Sequence, residues 1–224
     1  MYTKISESPI FKGINPGEIA HILNFIHHQI KSFESEEIIA YSGDKCDKLF
    51  ILIEGSIRGE VVDYSGKVIK IEDVFAPDTF AEAFLFADDN KLLVNIVANL
   101  ETKILIIYKN DLLKLFNSNN RILENYLRIV SNRFVTVTGK LKFLSLKTIK
   151  GKLAFYFMQI SNKQKSKTII LDKTQQQLAD YFGITRPSLA RSMRELNNEG
   201  LIKASGKKIE ILEMGEMKKH LRND

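Results

Sequence analysis

The segment Lys173–Leu212 constrains the fold most strongly, because its signals predict two helices, a tight turn between them and a following β-hairpin. Thr174 is a suitable N-cap for a first helix over Gln175–Tyr181, whose apolar residues recur at helical spacing. Gly183 can adopt the positive φ that a tight turn between helices requires. The segment therefore predicts a helix-turn-helix with a hairpin attached.

The second helix of this segment, Thr185–Asn197, has two chemically different faces. It begins with an N-cap threonine and has a proline in its first turn, where the missing N–H costs little. With about 100° of rotation per residue, Leu189, Met193 and Leu196 share one arc, which would pack on the first helix. The other arc is basic and contains Arg186, Pro187, Ala190, Arg191 and Arg194.

The basic arc favours double-stranded DNA as the partner of this helix. An arginine guanidinium pairs bidentately with guanine O6 and N7 or clamps a phosphate. The predicted hairpin, Leu201–Ala204 and Lys208–Leu212 joined near Gly206, would place Lys207 beside the DNA backbone. The alternative is an ordinary helical hairpin with a solvated basic face, but turn, caps, polarity and hairpin together favour DNA.

The charge of the chain is unevenly distributed, and this also points to a polyanion. Residues 1–146 contain 17 Lys and Arg against 19 Asp and Glu, a net charge of −2. Residues 147–224 contain 16 against 8, a net charge of +8. A basic module joined to a near-neutral one predicts a polyanionic partner for the basic module alone.

The sequence also excludes several classes of protein. No apolar run approaches the roughly 20 residues of a membrane-spanning helix, and the N-terminus lacks a signal-peptide pattern. We therefore expect a cytoplasmic protein without membrane contact. Because Cys46 is the one cysteine, an intramolecular disulfide is excluded. No HExxH motif, phosphate-binding glycine loop or Ser/His/Asp arrangement is recognisable, so we expect no enzyme activity.

Short apolar runs between turn signals occupy the N-terminal half, after a predicted helix over Pro16–Ile26. Many short strands at such spacing predict a β-sandwich or barrel, and a barrel of about eight strands is filled by side chains or holds one small ligand. The predicted strands are Glu37–Tyr41, Lys48–Glu54, Ser56–Val62, Val68–Phe75, Leu92–Ala98 and Lys103–Tyr108.

A long amphipathic helix is predicted over Arg121–Leu146, after a short helix at Asp111–Phe116. Its apolar residues alternate at intervals of four and three, which predicts a parallel coiled-coil dimer. The alternative is a helix packed only on its own domain. A second apolar face at Ile122, Tyr126 and Ile129 would cover the barrel and leave the seam for a partner. The seam residues are Leu123, Leu127, Val130, Phe134, Val137, Leu141 and Leu144.

The remaining segments complete a predicted domain organisation. Lys147–Lys150 is the expected hinge, Gly151–Ile160 a helix, Ser161–Lys167 a polar loop and Thr168–Leu171 a strand. The predicted domains are an effector-sensing β-barrel domain at 1–120, a dimerisation helix at 121–146 and a DNA-binding domain at 147–224.

This order of parts resembles the cyclic-AMP receptor protein / FNR (CRP/FNR) family of bacterial transcription regulators over nearly the whole chain. The resemblance rests on Ser8–Ile14, Gly43-Asp44 with Leu49–Gly55, Phe80-Ala81-Glu82 with Leu85-Phe86, and Leu178–Arg191. It implies an α+β fold: an N-terminal β-barrel of the cyclic-nucleotide-binding-like, jelly-roll type, a long dimerisation helix and a C-terminal winged helix-turn-helix domain.

The resemblance also implies an effector pocket, but its residues depart from those of cyclic-nucleotide binders. Such binders use a Gly-Glu pair followed by Arg-Ser or Arg-Thr. Here Ala81 replaces the glycine, and Leu92 and Leu93 replace the arginine pair. Leucines leave a phosphate charge unpaired, so we expect neither cyclic AMP nor cyclic GMP as the effector. The expected pocket residues are Phe80, Ala81, Glu82, Leu92, Leu93, Val137 and Thr138.

Other effectors of such regulators leave several alternatives open. An FNR-type iron–sulfur cluster needs several cysteines, and this chain has one. A haem needs an axial ligand, and although haem is not ruled out, ordinary surface or core roles are favoured for the four histidines. Cys46 is either a redox-sensing thiol or, as we favour, a passive residue. An apolar or amphiphilic ligand and a collapsed, empty pocket both stay open. The histidines are His21, His27, His28 and His220.

The resemblance further implies how DNA is read. Arg186 and Arg191 would contact base edges, and Ser188 a base or a phosphate. The start of the first helix would hold phosphates through its amides and side chains. Pro187 stands where many relatives have glutamate, so a different half-site is expected. The expected DNA-binding residues are Thr174, Gln175, Gln176, Thr185, Arg186, Ser188, Arg191, Arg194 and Lys207.

The leading hypothesis is a homodimeric transcription regulator that binds an inverted-repeat operator and responds to an unidentified signal at the barrel. Its half-sites would lie about one helical turn apart, and RNA polymerase would be a further partner. The alternative is a small-molecule or cyclic-nucleotide sensing module whose DNA contacts are secondary. The charge distribution and the arginine-bearing helix favour the regulator.

Overall fold

The computed structural model describes residues 2–221 and separates the chain into two compact units, 1–135 and 136–224. The helices of the first unit are α1 (Tyr2–Ser6), a short 3₁₀ helix (Pro9–Phe11), α2 (Pro16–Asn24), α3 (Lys109–Ser118) and the first part of α4 (Asn120–Ser145). Its strands are β1 (His28–Phe33), β2 (Ile38–Ala40), β3 (Lys48–Glu54), β4 (Ser56–Val62), β5 (Val68–Phe75), β6 (Asp78–Phe80), β7 (Asn95–Ala98) and β8 (Thr102–Tyr108).

Two four-stranded antiparallel sheets form the body of the first unit. One sheet has the order β1-β8-β3-β6 and the other β2-β7-β4-β5. The central strand β3 is buried from Leu49 to Ile53, because it faces the core on one side and helices on the other. The predicted jelly roll is confirmed, although its sheets do not close into a barrel: strands at the sheet edges pair on one side only, as in an open sandwich.

The predicted strands differ from the observed ones where tertiary contacts determine the bounds of a strand. The bounds of β3, β4 and β5 are confirmed. The predicted strand Leu92–Ala98 starts only at Asn95, because the backbone of Leu92 pairs instead with the loop at Gly43 and Asp44. Strands β1 and β6 were not predicted, since β1 is mostly polar and has no buried residue, and β6 has only three residues.

The first part of α4 packs on the core of its own unit. Ile122 is fully buried and Tyr126 nearly so, and Ile129 is partly buried against the same core. Asn125 donates hydrogen bonds of 3.0 Å to the carbonyls of Ile10 and Lys12. The predicted second apolar face of this helix is confirmed.

The second unit contains α5 (Ile149–Gln164), β9 (Thr168–Ile170), α6 (Gln175–Phe182), α7 (Arg186–Asn198), β10 (Ile202–Ser205), β11 (Lys208–Ile211) and α8 (Met214–Lys219). Its sheet has the order β10-β11-β9. Its core combines α5 with α6, α7 and the sheet, through residues such as Phe157, Leu189 and Ile209. This is the predicted winged helix-turn-helix.

Helix α5 is longer than predicted at both ends. Its N-cap Thr148 accepts a hydrogen bond from the amide of Gly151, so the second half of the predicted hinge Lys147–Lys150 is helical. The helix continues to Gln164 and ends at Lys165, which has φ of 50°. The predicted loop Ser161–Lys167 is thus reduced to its last residues, because its polar side chains are compatible with an exposed helix end. Within residues 2–221, no helix is both long and apolar enough to cross a membrane.

Candidate DNA-binding surface and effector cavity

A complete capping box starts α6, the first helix of the helix-turn-helix. The amide of Gln177 donates to Thr174 Oγ1 at 3.2 Å, and the amide of Thr174 donates to Gln177 Oε1 at 2.9 Å. Gly183 follows the helix with φ of 66°, a left-handed conformation that glycine adopts without strain. The predicted turn between the helices is confirmed.

The side chains of α7 divide as the sequence predicted. Leu189, Met193 and Leu196 are buried in the core of the second unit. Arg186, Arg191 and Arg194 are exposed, and among residues 2–221 no ion pair engages them. Three guanidinium groups are therefore available on one helix face, where they can bind an anionic partner without breaking an internal contact.

A groove of about 540 Å³ joins the start of α6 to α7 and to the turn of the β10–β11 hairpin. It brings together five of the predicted DNA-binding residues, and three cationic side chains line it. Arg194 lines a second depression of about 330 Å³ nearby, whereas Arg191 and Ser188 lie outside both linings. The residues lining the first groove are Leu171, Lys173, Thr174, Gln175, Gln176, Arg186, Gly206 and Lys207.

The hydroxyls at the start of α7 are engaged within the helix. Thr185 caps it, since its Oγ1 accepts from the amide of Ser188 at 3.4 Å. The hydroxyls of Thr185 and Ser188 lie 2.9 Å apart, within hydrogen-bond distance. Lys173, which also lines the groove, was not among the predicted site residues, although a lysine beside an N-cap is a signal for phosphate binding.

A separate cavity of about 230 Å³ lies inside the first unit, lined mainly by β4, β5 and the segment 92–96. Four of the predicted pocket residues line it, and the others do not. Val137 and Thr138 are exposed residues of the second unit. The predicted residues at the cavity are Phe80, Ala81, Leu92 and Leu93.

Glu82, the fifth predicted pocket residue of the first unit, is held by the long helix. Its side chain is 2 % exposed, and its Oε1 accepts from Arg133 Nε at 2.9 Å. Arg133 also donates to the carbonyl of Thr79 at 3.1 Å and lies 3.8 Å from Asp78. The sequence analysis missed Arg133. This residue continues the spacing of four, three and four residues that starts at Ile122 and runs through Tyr126 and Ile129. A charged residue on such an inward-facing side of a helix indicates a buried partner of opposite charge.

Cys46, His21 and His27 pack against other parts of the first unit. Cys46 is fully buried, and its Sγ lies 3.5 Å from the carbonyl of Ala81. Burial raises the pKa of this thiol, which keeps it protonated and unreactive. His21 packs on Phe25 and His27 stacks on Tyr108. In the described part of the chain, no cluster of three or more His, Cys, Asp or Glu is arranged to hold a metal ion.

Comparisons with known proteins agree with this geometry. The cyclic nucleotide-binding domain model matches residues 30–119, and the Crp-like helix-turn-helix domain model matches residues 151–220. The chain is 24% identical over 189 residues to the cAMP-activated global transcriptional regulator CRP of Pasteurella multocida, covering 83% of this chain and 90% of that protein.

Two solved structures are similar as well. The catabolite activator protein of Thermus thermophilus has a TM-score of 0.55 at 19% identity, and the match covers 95% of this chain and 98% of that one. A transcriptional regulator of Thermotoga maritima has a TM-score of 0.53 at 30% identity, over 58% of this chain and 98% of that one. Fold, domain order and sequence agree, and the chain belongs to the CRP/FNR family of DNA-binding transcription regulators.

Proposed function

We propose that this protein is a homodimeric regulator that binds an inverted-repeat operator through α7 and adjusts its DNA affinity to a signal at the jelly roll. The observation that carries the proposal is the row of exposed arginines on α7, beside the cationic groove at the start of α6. Arg186 and Arg191 would read base edges, while Lys173 and Lys207 would hold phosphates.

The dimer is proposed from the seam of α4, of whose seven residues five are exposed, while Leu123 and Val130 are half-buried against the core of the first unit. Leu127, Phe134 and Leu141 are 55%, 72% and 61% exposed, which is unusual for large apolar side chains repeating at heptad spacing. A second copy of the same helix would bury this seam. Two α7 helices related by a two-fold axis would then read two half-sites of an inverted repeat.

The partners and location follow from this role. A regulator of transcription works on chromosomal DNA in the bacterial cytoplasm, and RNA polymerase is its proposed protein partner. The family consists of transcription regulators and not of enzymes, and we propose no catalytic activity for this member.

Selection of binding sites from random DNA by the full-length protein tests the proposal. We expect an inverted repeat whose half-sites lie about one helical turn apart. The doubly substituted Arg186→Ala/Arg191→Ala protein should enrich no common sequence, whereas Lys163→Ala, which changes an exposed lysine of α5, should enrich the same repeat. Failure of the wild-type protein to enrich any sequence would contradict the proposed function.

A further inference from the structure

We infer that the jelly-roll cavity binds a small molecule with an apolar body and a positively charged amino group, and not a phosphate ester. This inference deepens the proposed function, on which its regulatory meaning rests, by naming the chemical class of the signal. It is carried by three features of the first unit: the apolar lining, the single ionisable residue in that lining, and the negative charge beside it.

The lining of the cavity is almost entirely aliphatic and aromatic. Ile57, Leu92 and Ile96 are buried there, and Phe80 contributes an aromatic ring. Gly59 enlarges the space, because a Cβ at this position would come within 3.2 Å of Val94 Cγ2. A volume of about 230 Å³ is smaller than the roughly 300–1,000 Å³ of typical ligand pockets, so a compact apolar body fits it.

Glu72 is the one ionisable side chain among the described residues that line the cavity. It lies on β5 directly opposite Gly59 in the β4–β5 register, so no side chain of β4 separates it from the apolar space. Glu72 is exposed, which places its carboxylate at the mouth of the cavity. A carboxylate at the mouth of an apolar cavity favours a ligand whose positive group stays near water while its apolar body is buried.

Arg133, a cation whose charge interacts with Glu72, is already paired with other acids. Arg133 Nε lies 2.9 Å from Glu82, and its Nη2 lies 3.8 Å from Asp78. Burial disfavours the charged form of Arg133, but Glu82, Asp78 and Glu72 outweigh this and raise its pKa. Two carboxylates therefore lie within 4 Å of one guanidinium, Glu72 adds a third negative charge in the same part of the unit, and the local charge is negative.

The negative local charge discriminates between a phosphate and a protonated amine as ligands of the cavity. A phosphate would have to displace the buried carboxylate of Glu82 from Arg133, leaving that charge without a partner at a large cost. A protonated amine beside Glu72 would reduce the excess negative charge and displace nothing. The electrostatics of the site thus oppose cyclic nucleotides and favour an organic cation.

Calorimetric titration of the full-length protein with two six-carbon compounds of opposite charge, and with a cyclic nucleotide, tests the inference. The probes are hexylamine, hexanoate and cyclic AMP. We expect hexylamine to bind and hexanoate and cyclic AMP to give no binding heat. Glu72→Gln should weaken hexylamine binding about fivefold, the loss expected for a partly exposed charge pair. Glu124→Gln, which changes an exposed carboxylate of α4 outside the cavity lining, should leave the affinity unchanged.

Two further variants make the test decisive. Glu72→Lys reverses the charge at an exposed position and should make the protein bind hexanoate in preference to hexylamine. Val94→Phe fills the cavity and should abolish hexylamine binding; if this variant does not fold, the charge reversal alone decides. Equal hexylamine binding by the wild type and Glu72→Lys, tight binding of cyclic AMP, or no binding of hexylamine would each overturn the inference. Because no DNA is present, these outcomes are independent of the operator selection that tests the proposed function.

Discussion

Tyr126 and Arg133 lie about two turns apart on α4 and hold the same residue, Glu82. The hydroxyl of Tyr126 donates to the carbonyl of Glu82 at 2.9 Å, and Arg133 Nε donates to its carboxylate at the same distance. The long helix therefore fixes both the backbone and the side chain of the segment that follows β6. Glu82 directly follows Phe80 and Ala81, which line the cavity, so both contacts anchor the end of this lining segment to α4.

Replacing Arg133 by methionine should lower the free energy of unfolding of the first unit by about 2–3 kcal/mol, because the buried carboxylate of Glu82 loses its partner. Urea unfolding followed by circular dichroism measures this loss. The double variant Arg133→Met/Glu82→Gln should recover part of it, since no unpaired charge remains. A double variant as unstable as the single one would show that packing, and not charge, is responsible.

The base-reading role of α7 predicts a loss of sequence preference. Arg186→Ala or Arg191→Ala should each weaken operator binding by roughly 1–3 kcal/mol and relax preference at one base pair. Lys207→Ala should weaken binding to all sequences alike and reduce its salt dependence. Equilibrium binding of each variant to an operator duplex and to a random duplex distinguishes base reading from phosphate binding. An equal loss of affinity for both duplexes in Arg186→Ala would rule out base reading by this residue.

The exposed seam of α4 predicts an oligomeric change. Phe134→Glu should convert the dimer to a monomer, because it places a charge in the centre of an apolar interface. Phe134→Leu keeps an apolar side chain at the same position and should remain dimeric. Sedimentation equilibrium measures both. A wild-type protein that is monomeric at all concentrations would contradict the proposed seam.

The second unit should lose stability in acid through Asp172. Tyr156 Oη donates to Asp172 at 2.8 Å, and this bond, with a smaller effect of Lys173, lowers the pKa of Asp172. The folded state then binds fewer protons than the unfolded state, whose aspartate titrates at about pH 3.9. The stabilisation is complete above about pH 5 and is lost as the pH falls through the lowered value.

Tyr156→Phe isolates this contribution. At neutral pH the variant should be less stable than the wild type by about 0.5–1 kcal/mol, a small value because Asp172 is largely exposed. The difference should shrink as the pH falls below about 4. Urea unfolding at several pH values measures it. A difference that is independent of pH down to strongly acidic conditions would show that the charge of Asp172 is not the cause of the loss.

Local signals in the sequence predicted the DNA-reading half of the fold well. The caps Thr174 and Thr185, the turn at Gly183 and the two faces of α7 depend on residues close together in the chain, and the structure confirms them. The bounds of β3 were predicted for a similar reason, because a continuous apolar run is flanked by turn residues.

The cavity of the jelly roll was predicted only in part, because it depends on contacts between distant segments. The position of Glu72 opposite Gly59 follows from strand register, which alternation along one strand does not reveal. The pairing of Arg133 with Glu82 joins residues 51 positions apart. The DNA-binding and pocket residues themselves stay predictions until variants are measured.

Two hydrophobic cores with no residue in common among positions 2–221 have an evolutionary consequence. Substitutions that reshape the cavity can accumulate without repacking the helices that read DNA, and a new operator can be acquired without altering the perceived signal. During evolution the specificity of the first unit for its ligand and that of the second unit for its operator can therefore change separately. One fold can in this way connect many different signals to many different genes.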